Sequence, residues 1–188
     1  MDEIALPPLD PGVPLQPKRS FMSIELLLDS ATEAAVRAEW EALAAEGMSS
    51  LARHTSASNR PHVTLLARTD LGPLDADALF DRPSFEITLS APLLFGAGER
   101  RVLARSIVPT AELLDIHAAV HAAAGPGGDA PHTAPGDWTP HVTLARRIRV
   151  SDLDRALGHV GGEIRGRAVG LRLWDPATAT VTDLGAFA

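Results

Sequence analysis

The stretch Pro61-His62-Val63-Thr64-Leu65 is repeated letter for letter as Pro140-His141-Val142-Thr143-Leu144. Such an exact internal repeat, at matched points of the two halves of the chain, indicates a duplicated structural unit. On a β-strand, successive side chains alternate between faces, so each copy places its histidine and threonine on one face and its valine and leucine on the other. We therefore expect each copy to bury its apolar face and to expose a polar His-Thr pair.

The elements predicted around the two copies follow the same order in both halves: helix, His-bearing strand, short helix, strand, strand. In the first half a strand over 21–28 is followed by a helix capped by Ser30 or Thr32 and ended by Gly47, then, after the motif, by a short helix over 75–80 and strands over 85–95 and 101–108. In the second half a helix capped by Thr110, a Gly/Pro-rich loop over 125–138, a helix begun by Ser151 or Asp152 and ended near Gly158, and strands over 163–174 and 178–187 surround the motif.

This repeated order predicts an α+β fold with two related lobes. If a pseudo-twofold axis relates the lobes, the two His-Thr faces oppose each other across a central cleft. Residues 1–18 hold five prolines and are predicted to form an extended segment, because proline at this density fits neither a helix nor an interior strand. Residues 19–188 are then expected to form a single bilobal domain.

Two opposed imidazoles suit phosphoryl chemistry without a metal ion. Because histidine titrates near pH ~6.5, one ring can accept a proton while the other donates one to a leaving oxygen. The hydroxyls of Thr64 and Thr143 can donate hydrogen bonds to the non-bridging phosphoryl oxygens, where charge accumulates. We therefore predict His62, Thr64, His141 and Thr143 as the catalytic residues.

Composition limits the alternatives. The 188 residues contain 17 Lys+Arg and 24 Asp+Glu, a net charge of −7, which disfavours non-specific nucleic-acid binding as the main activity. Without cysteine there is no disulfide framework, Cys-based zinc cluster or thiolate nucleophile. No apolar run approaches a membrane span and the first residues lack a signal-peptide pattern, so no membrane association and a cytoplasmic location are expected.

The paired Pro-His-Val-Thr-Leu motifs, one per half, resemble those of the 2H phosphoesterase superfamily, in particular its bacterial 2′-5′ RNA ligase-like branch. The resemblance covers about residues 20 to 188. It implies two antiparallel sheets around a central cleft with the helices outside, and cyclic phosphodiesterase chemistry on 2′,3′-cyclic phosphate ends of RNA or nucleotides. It also implies that His62 and His141 act as base and acid, Thr64 and Thr143 as phosphate ligands, and Arg146 as a substrate contact.

Two arginines compete for the substrate-binding role. Arg68 lies at an even offset from His62, so a regular strand places it on the cleft side, whereas Arg146 lies at an odd offset from His141 and faces away unless a bulge intervenes. Strand parity favours Arg68 and the family resemblance favours Arg146. A local basic cleft formed by Arg146, Arg147 and Arg149 can override the acidic net charge.

Aromatic side chains are candidates for stacking on a nucleobase. Trp138, just upstream of the second motif, is predicted to bind substrate in this way, with packing between the lobes as the alternative. Trp40 lies at helical spacing between Val36 and Leu43 and is predicted to be buried in the core. Trp174 fits either role.

Other histidines are weaker candidates. His117 and His121 have the i, i+4 spacing of metal ligands, but no carboxylate or third histidine accompanies them, so we predict no metal site and no cofactor. His54-Thr55-Ser56 formally matches a His-x-Ser pattern, but its polar flanks lack the alternation of a strand.

The leading functional hypothesis is a metal-independent cyclic phosphodiesterase in the processing of RNA ends. Its substrate would be an RNA terminus or a small nucleotide phosphodiester, and we expect a monomer. The same histidines acting in reverse would make a 2′-5′ RNA ligase. A nucleotide- or RNA-binding module without turnover is the third possibility.

Overall fold

The structure is a computed structural model that describes residues 20–56, 58–76 and 79–188. The described helices are α1 (Ser30–Ala45), α2 (Ala111–Ala123) and α3 (Leu153–Gly158), with 3-10 turns at Leu51–Arg53 and Val150–Asp152. The strands are β1 (Met22–Leu28), β2 (His62–Arg68), β3 (Phe85–Phe95), β4 (Arg100–Ile107), β5 (Thr133–Ala134), β6 (Asp137–Trp138), β7 (His141–Arg149), β8 (Ile164–Asp175) and β9 (Thr180–Ala186). The predicted extended segment over 1–18 lies outside the described residues, and the predicted short helix over 75–80 includes residues 77 and 78, which are also outside them.

The helix caps follow from side-chain hydrogen bonds at the first turn. Asp29, not Ser30 or Thr32, caps α1, because its carboxylate accepts hydrogen bonds from the backbone N–H groups of Ala31 and Thr32. A carboxylate also interacts favourably with the positive end of the helix dipole. The prediction for α2 is confirmed, since the Thr110 hydroxyl accepts from a first-turn N–H.

The seven long strands form one antiparallel sheet in the order β2-β1-β8-β3-β4-β7, with β9 beside β8. Strand β8, from the second half of the chain, lies between two strands of the first half: its first part pairs with β3 and its second part with β1. The α+β class is confirmed, and strands from both halves of the chain alternate within one continuous sheet. Strands β5 and β6 form a separate small hairpin within the predicted 125–138 loop.

The two motif strands, β2 and β7, are the ends of this sheet path, yet they approach each other. Their Cα atoms come within 8 Å, so the sheet curls until its two edges lie side by side. Strong curling and local irregularities are how antiparallel sheets bring distant strands together. This tertiary arrangement places the two copies of the repeated pentapeptide next to each other.

Each of the two longer helices packs on the motif strand of the other half of the chain. Helix α1, from the first half, packs on β7 and β8, whereas α2, from the second half, packs on β2. At the start of α1 the contact is so close that a Cβ on Gly166 would lie 1.7 Å from the Thr32 hydroxyl, so only glycine fits there. The apolar faces of both motifs are buried in the core beneath these helices, as predicted.

Within the described part of the chain, no helix combines the length and apolarity needed to traverse a lipid bilayer.

Candidate active site

Both motif histidines are oriented by the same local hydrogen bond. Nδ1 of His62 lies 2.7 Å from the carbonyl oxygen of Arg60, and Nδ1 of His141 lies 2.8 Å from that of Thr139. A carbonyl only accepts, so in each ring Nδ1–H is the donor. The tautomer of each neutral ring is thereby fixed, which leaves both Nε2 atoms as the groups that can exchange protons.

A cavity of about 760 Å³ opens beside His62. Its wall includes His62 and Thr64 from β2 and Arg146 from β7, so one space is shared by the two motif strands. His141 and Thr143 are half-buried on β7 and are not part of that wall. The further lining residues are Ser20, Phe21, Ser23, Glu25, Leu51, His54, Ser56, Ser58, Asn59, Ala67, Arg172, Trp174, Pro176 and Ala179.

His141 has an apolar environment that distinguishes it from His62. Burial lowers the pKa of His141 below its ordinary value of 6.5, the hydrogen bond to the Thr139 carbonyl opposes this, and the charge on His62 lowers the pKa further. The ring of Phe95 lies against it, with ring centroids 4.6 Å apart. The neutral form of His141 is thus favoured, and the two imidazoles are close enough to interact electrostatically.

Each motif contains a β-bulge directly after its threonine. On β2, Thr64 pairs with Glu25 and Leu66 with Ile24, so Leu65 has no partner. On β7, Thr143 pairs with Ala104 and Ala145 with Leu103, so Leu144 has none. An unpaired residue of this kind reverses the alternation of the side chains that follow it.

The bulges decide between the two arginines. Arg146 is carried into the cavity, in agreement with the family resemblance. The prediction that Arg68 faces the cleft is wrong, because the bulge turns it to the opposite face, where it is 4% exposed. There Arg68 donates to Asp129 at 2.6 Å and to the carbonyls of Ala124 and Gly125, and so holds the 124–130 loop against β2.

Two tryptophans bind the carbonyl groups at the bulges. The indole N–H of Trp138 donates to the carbonyl of Thr64 at 3.1 Å, and that of Trp40 donates to the carbonyl of Thr143 at 3.0 Å. Trp40 is buried, as predicted. Each bond crosses from one half of the chain to the other, because α1 covers β7 while β6 lies near β2.

The structure places Trp138 in the alternative position that the sequence allowed, packed between the two halves of the chain. Its ring is stacked on His117, with centroids 3.8 Å apart and planes 4° apart, and it does not line the cavity. In this position the indole N–H of Trp138 reaches the carbonyl of Thr64. Trp174, which the sequence left open, is the tryptophan in the cavity wall.

A buried ion pair forms part of the cavity wall. Glu25 on β1 and Arg172 on β8 are cross-strand partners, and Arg172 donates to the Glu25 carboxylate at 2.6 and 2.7 Å. Glu25 Oε1 accepts from the Ser23 hydroxyl and lies 3.4 Å from Nε2 of His62. Glu25 is the cross-strand partner of Thr64, whereas the partner of Thr143 in the second motif is Ala104. Of the two motif histidines, only His62 therefore faces a carboxylate in this way.

His117 and His121 take part in packing and hydrogen bonding. Nε2 of each donates to the Thr133 carbonyl, and Nε2 of His121 also lies 3.1 Å from the carbonyl of Leu65, the bulged residue. Burial lowers the pKa of His117, partly offset by the Thr133 hydrogen bond. Across residues 20–56, 58–76 and 79–188, no cluster of three or more potential metal ligands is found.

Sequence reasoning did not identify Glu25, Arg172 or His54 as cavity residues. Glu25 and Arg172 are charged residues inside otherwise apolar strand runs, and this is the signal that could have marked them. His54 follows the 3-10 turn and reaches the cavity from a loop, so no strand pattern accompanies it. The predicted basic cleft is divided: Arg146 lies in this cavity, whereas Arg147 and Arg149 line a neighbouring one.

Comparison with known proteins identifies the family of the chain. Residues 32–187 match the family model described as the 2′-5′ RNA ligase superfamily, and the chain therefore belongs to this family. The resemblance to the 2H phosphoesterases that the two His-x-Thr motifs carry is confirmed. No curated protein sequence matches the chain.

Solved structures share the fold at low identity. E. coli LigT in apo form is 15% identical with a TM-score of 0.54, covering 90% of this chain and 96% of LigT. E. coli LigT complexed with 3′-AMP is 18% identical with a TM-score of 0.54, covering 91% and 98%. Kluyveromyces marxianus Usb1 with uridine monophosphate is 14% identical with a TM-score of 0.48, covering 88% and 98%. At these identities the likeness to LigT concerns the fold alone.

Proposed function

We propose that this protein is a metal-independent phosphoesterase that opens 2′,3′-cyclic phosphate ends of RNA or nucleotides by two-histidine acid-base catalysis. The observation that carries the proposal is the equivalent Nδ1 hydrogen bond of His62 and His141, which leaves the Nε2 atom of each ring for proton exchange on two strands that approach each other. Both rings belong to one chain, so a monomer is sufficient for the reaction. Family membership supports the general class of chemistry.

The environments of the two rings support different roles. His141, with its lowered pKa, is neutral at neutral pH and acts as the base that takes a proton from the attacking water. His62, when protonated, forms an ion pair with Glu25 and acts as the acid. Water oxygen bonds to phosphorus, the bond from phosphorus to one ribose oxygen breaks, and His62 gives that oxygen a proton. The product is a phosphomonoester, and the two rings exchange protons with solvent to restart.

The groups around the phosphate stabilise its developing charge. Thr64 and Thr143 donate hydrogen bonds to the non-bridging oxygens, and Arg146 supplies a positive charge from the cavity wall. Trp174 offers an aromatic face on which the base can stack. The 3′-AMP complex of E. coli LigT is consistent with a nucleotide-sized ligand in a fold of this kind.

The test is a panel of 2′,3′-cyclic nucleotides and 2′-5′-linked dinucleotides, incubated with the purified protein in the presence of EDTA. We expect cyclic phosphates to be opened, and we expect His62→Ala and His141→Ala each to lose about 10²-fold or more in kcat. The same reactions run with RNA ends that can be joined would detect ligation. Binding without turnover in the wild type, or full activity in either variant, would exclude the two-histidine mechanism.

A further inference from the structure

We call the cavity beside His62 the catalytic cavity. A second cavity next to it has a strongly basic wall. Its volume is about 340 Å³, and we call it the basic pocket; Gly47, Met48, Ser49, Ser50, Arg53, Arg100, Arg147, Arg149 and Asp152 line it. Four arginines therefore face a single carboxylate in a protein whose net charge is −7. Such a local concentration of positive charge creates a field that attracts anions despite the acidic whole.

The arginines of the basic pocket are not neutralised by neighbouring carboxylates. All four side chains are exposed, and none forms an ion pair with another of the described residues. Asp152, the one acidic residue in the wall, lies 3.9 Å from Arg155, a residue that also binds Glu46. Like charges held together repel, so a bound anion stabilises this arrangement.

The basic pocket and the catalytic cavity have adjoining walls. Within one 3-10 turn, Leu51 lines the catalytic cavity and Arg53 lines the basic pocket, and this turn packs on β7. On β7, Arg146 lines the first and Arg147 the second. At this point β7 has a second irregularity, where Arg146 and Arg147 together oppose the single residue Val102 of β4.

We infer that the basic pocket binds the phosphodiester backbone of a single-stranded RNA whose terminal phosphate lies in the catalytic cavity. This deepens the proposed function by naming its substrate as an oligoribonucleotide end. Arginine guanidinium groups bind phosphate oxygens in a bidentate manner without reading sequence, so the pocket takes the phosphates that precede the terminus. Free nucleotide polyphosphates and inorganic phosphate share this chemistry, and the experiment separates them from RNA.

The experiment measures binding without turnover. Fluorescein-labelled oligoribonucleotides of two to eight residues, each ending in a 3′-phosphate, are titrated with the full chain and followed by anisotropy over a range of salt concentrations. We expect affinity to rise with strand length. In the double variant Arg53→Ala/Arg149→Ala this gain is lost, so affinity for the longest strand decreases by about tenfold or more. The negative slope of log K against log salt becomes shallower by about 0.7 per arginine removed.

Arg165→Ala is the matched control, because Arg165 is also exposed but lines neither cavity. It should bind RNA like the wild type. Equal thermal unfolding of all three proteins establishes that the double variant is folded. Kinetics give a second readout: the double variant should raise KM for an oligonucleotide with a cyclic phosphate end and leave that for a cyclic mononucleotide unchanged.

Each negative outcome has a distinct meaning. Affinity independent of strand length, or equal binding of long RNA by the double variant and the wild type, would overturn the inference. So would arginine-dependent binding of ATP or inorganic phosphate without an effect of RNA length. Length-dependent, arginine-dependent RNA binding by a protein that opens no cyclic phosphate would contradict the proposed function but support the RNA site.

Discussion

The indole N–H of Trp138 donates a hydrogen bond to the main-chain carbonyl of Thr64, a residue 74 positions earlier in the chain. Trp40 makes the equivalent bond to Thr143, 103 positions later. In both cases the acceptor is the carbonyl next to a bulge, where the regular ladder of the sheet is interrupted. Each half of the protein therefore fixes the backbone that presents the other half's threonine.

Replacing either of these tryptophans with phenylalanine should destabilise the fold and the site together. Trp138→Phe and Trp40→Phe each leave a half-buried carbonyl without its donor, which costs about 1 to 3 kcal/mol. We also expect kcat to fall more than KM changes, because the threonine is displaced from the phosphate. Urea unfolding and steady-state kinetics measure the two effects. Trp174→Phe is the control, since no hydrogen bond of its indole to another described residue is found; a similar loss there would contradict the interpretation.

Arg146 and Arg68 should respond oppositely to replacement by alanine. Arg146→Ala removes a charge from the cavity wall, so kcat/KM should fall with little change in unfolding free energy. Arg68→Ala removes the ion pair to Asp129 and the donor to two loop carbonyls, and should cost about 3 kcal/mol of stability, the low end for a buried pair because Asp129 keeps some exposure and its Oδ2 still lies 3.5 Å from Nδ1 of His121. The activity of the folded fraction should stay near wild type. Thermal unfolding and kinetics on the same samples check this, and a catalytic defect in folded Arg68→Ala would refute it.

The acid and base roles can be separated with an activated substrate. A p-nitrophenyl phosphodiester has a leaving group that departs without protonation, so it does not need a general acid. His62→Ala should therefore lose far less activity on this substrate than on a 2′,3′-cyclic nucleotide. His141→Ala should lose about 10²-fold or more on both, because the base is still required. The reverse pattern would exchange the two roles.

The pH profile should show the lowered pKa of His141. Below that pKa the ring is protonated and cannot accept a proton from water, so kcat/KM rises as pH increases through it. Because burial and the charge on His62 lower the pKa, the midpoint of the acidic limb should lie below 6.5. The limb should persist in His62→Ala and disappear in His141→Ala. An acidic limb at or above 6.5 would be inconsistent with His141 as the base.

Trp174 should contribute to recognition of the base. Its replacement by alanine removes a stacking surface worth about 1 to 3 kcal/mol, so KM for cyclic nucleotides should rise about tenfold. Ribose 2′,3′-cyclic phosphate, which has no base, should be turned over equally by the variant and the wild type. An equal loss on both substrates would place the effect elsewhere than in stacking.

The sequence by itself determined the long strands, the three described helices and the identity of the motifs. The repeated pentapeptide, the apolar alternation around it and the helix-cap residue Thr110 are local patterns, and the strands over 85–95 and the His-bearing strands lie where these patterns predict them. The resemblance carried by the two motifs led to the family that the chain belongs to. These inferences succeeded because they depend on neighbours along the chain.

Only the tertiary structure decided which side chains share the site. Strand parity assigned Arg68 to the cleft, but bulges after Thr64 and Thr143 reversed the faces and brought in Arg146 instead. Those bulges are held by tryptophans from the opposite half, a contact that no local pattern encodes. Likewise, Glu25 and Arg172 meet because β1 and β8 are neighbours in the sheet, although 147 positions separate them in the chain. Side-chain direction after an irregularity depends on the partner strand and on the groups that satisfy the freed carbonyls, and these are fixed only when the chain has folded.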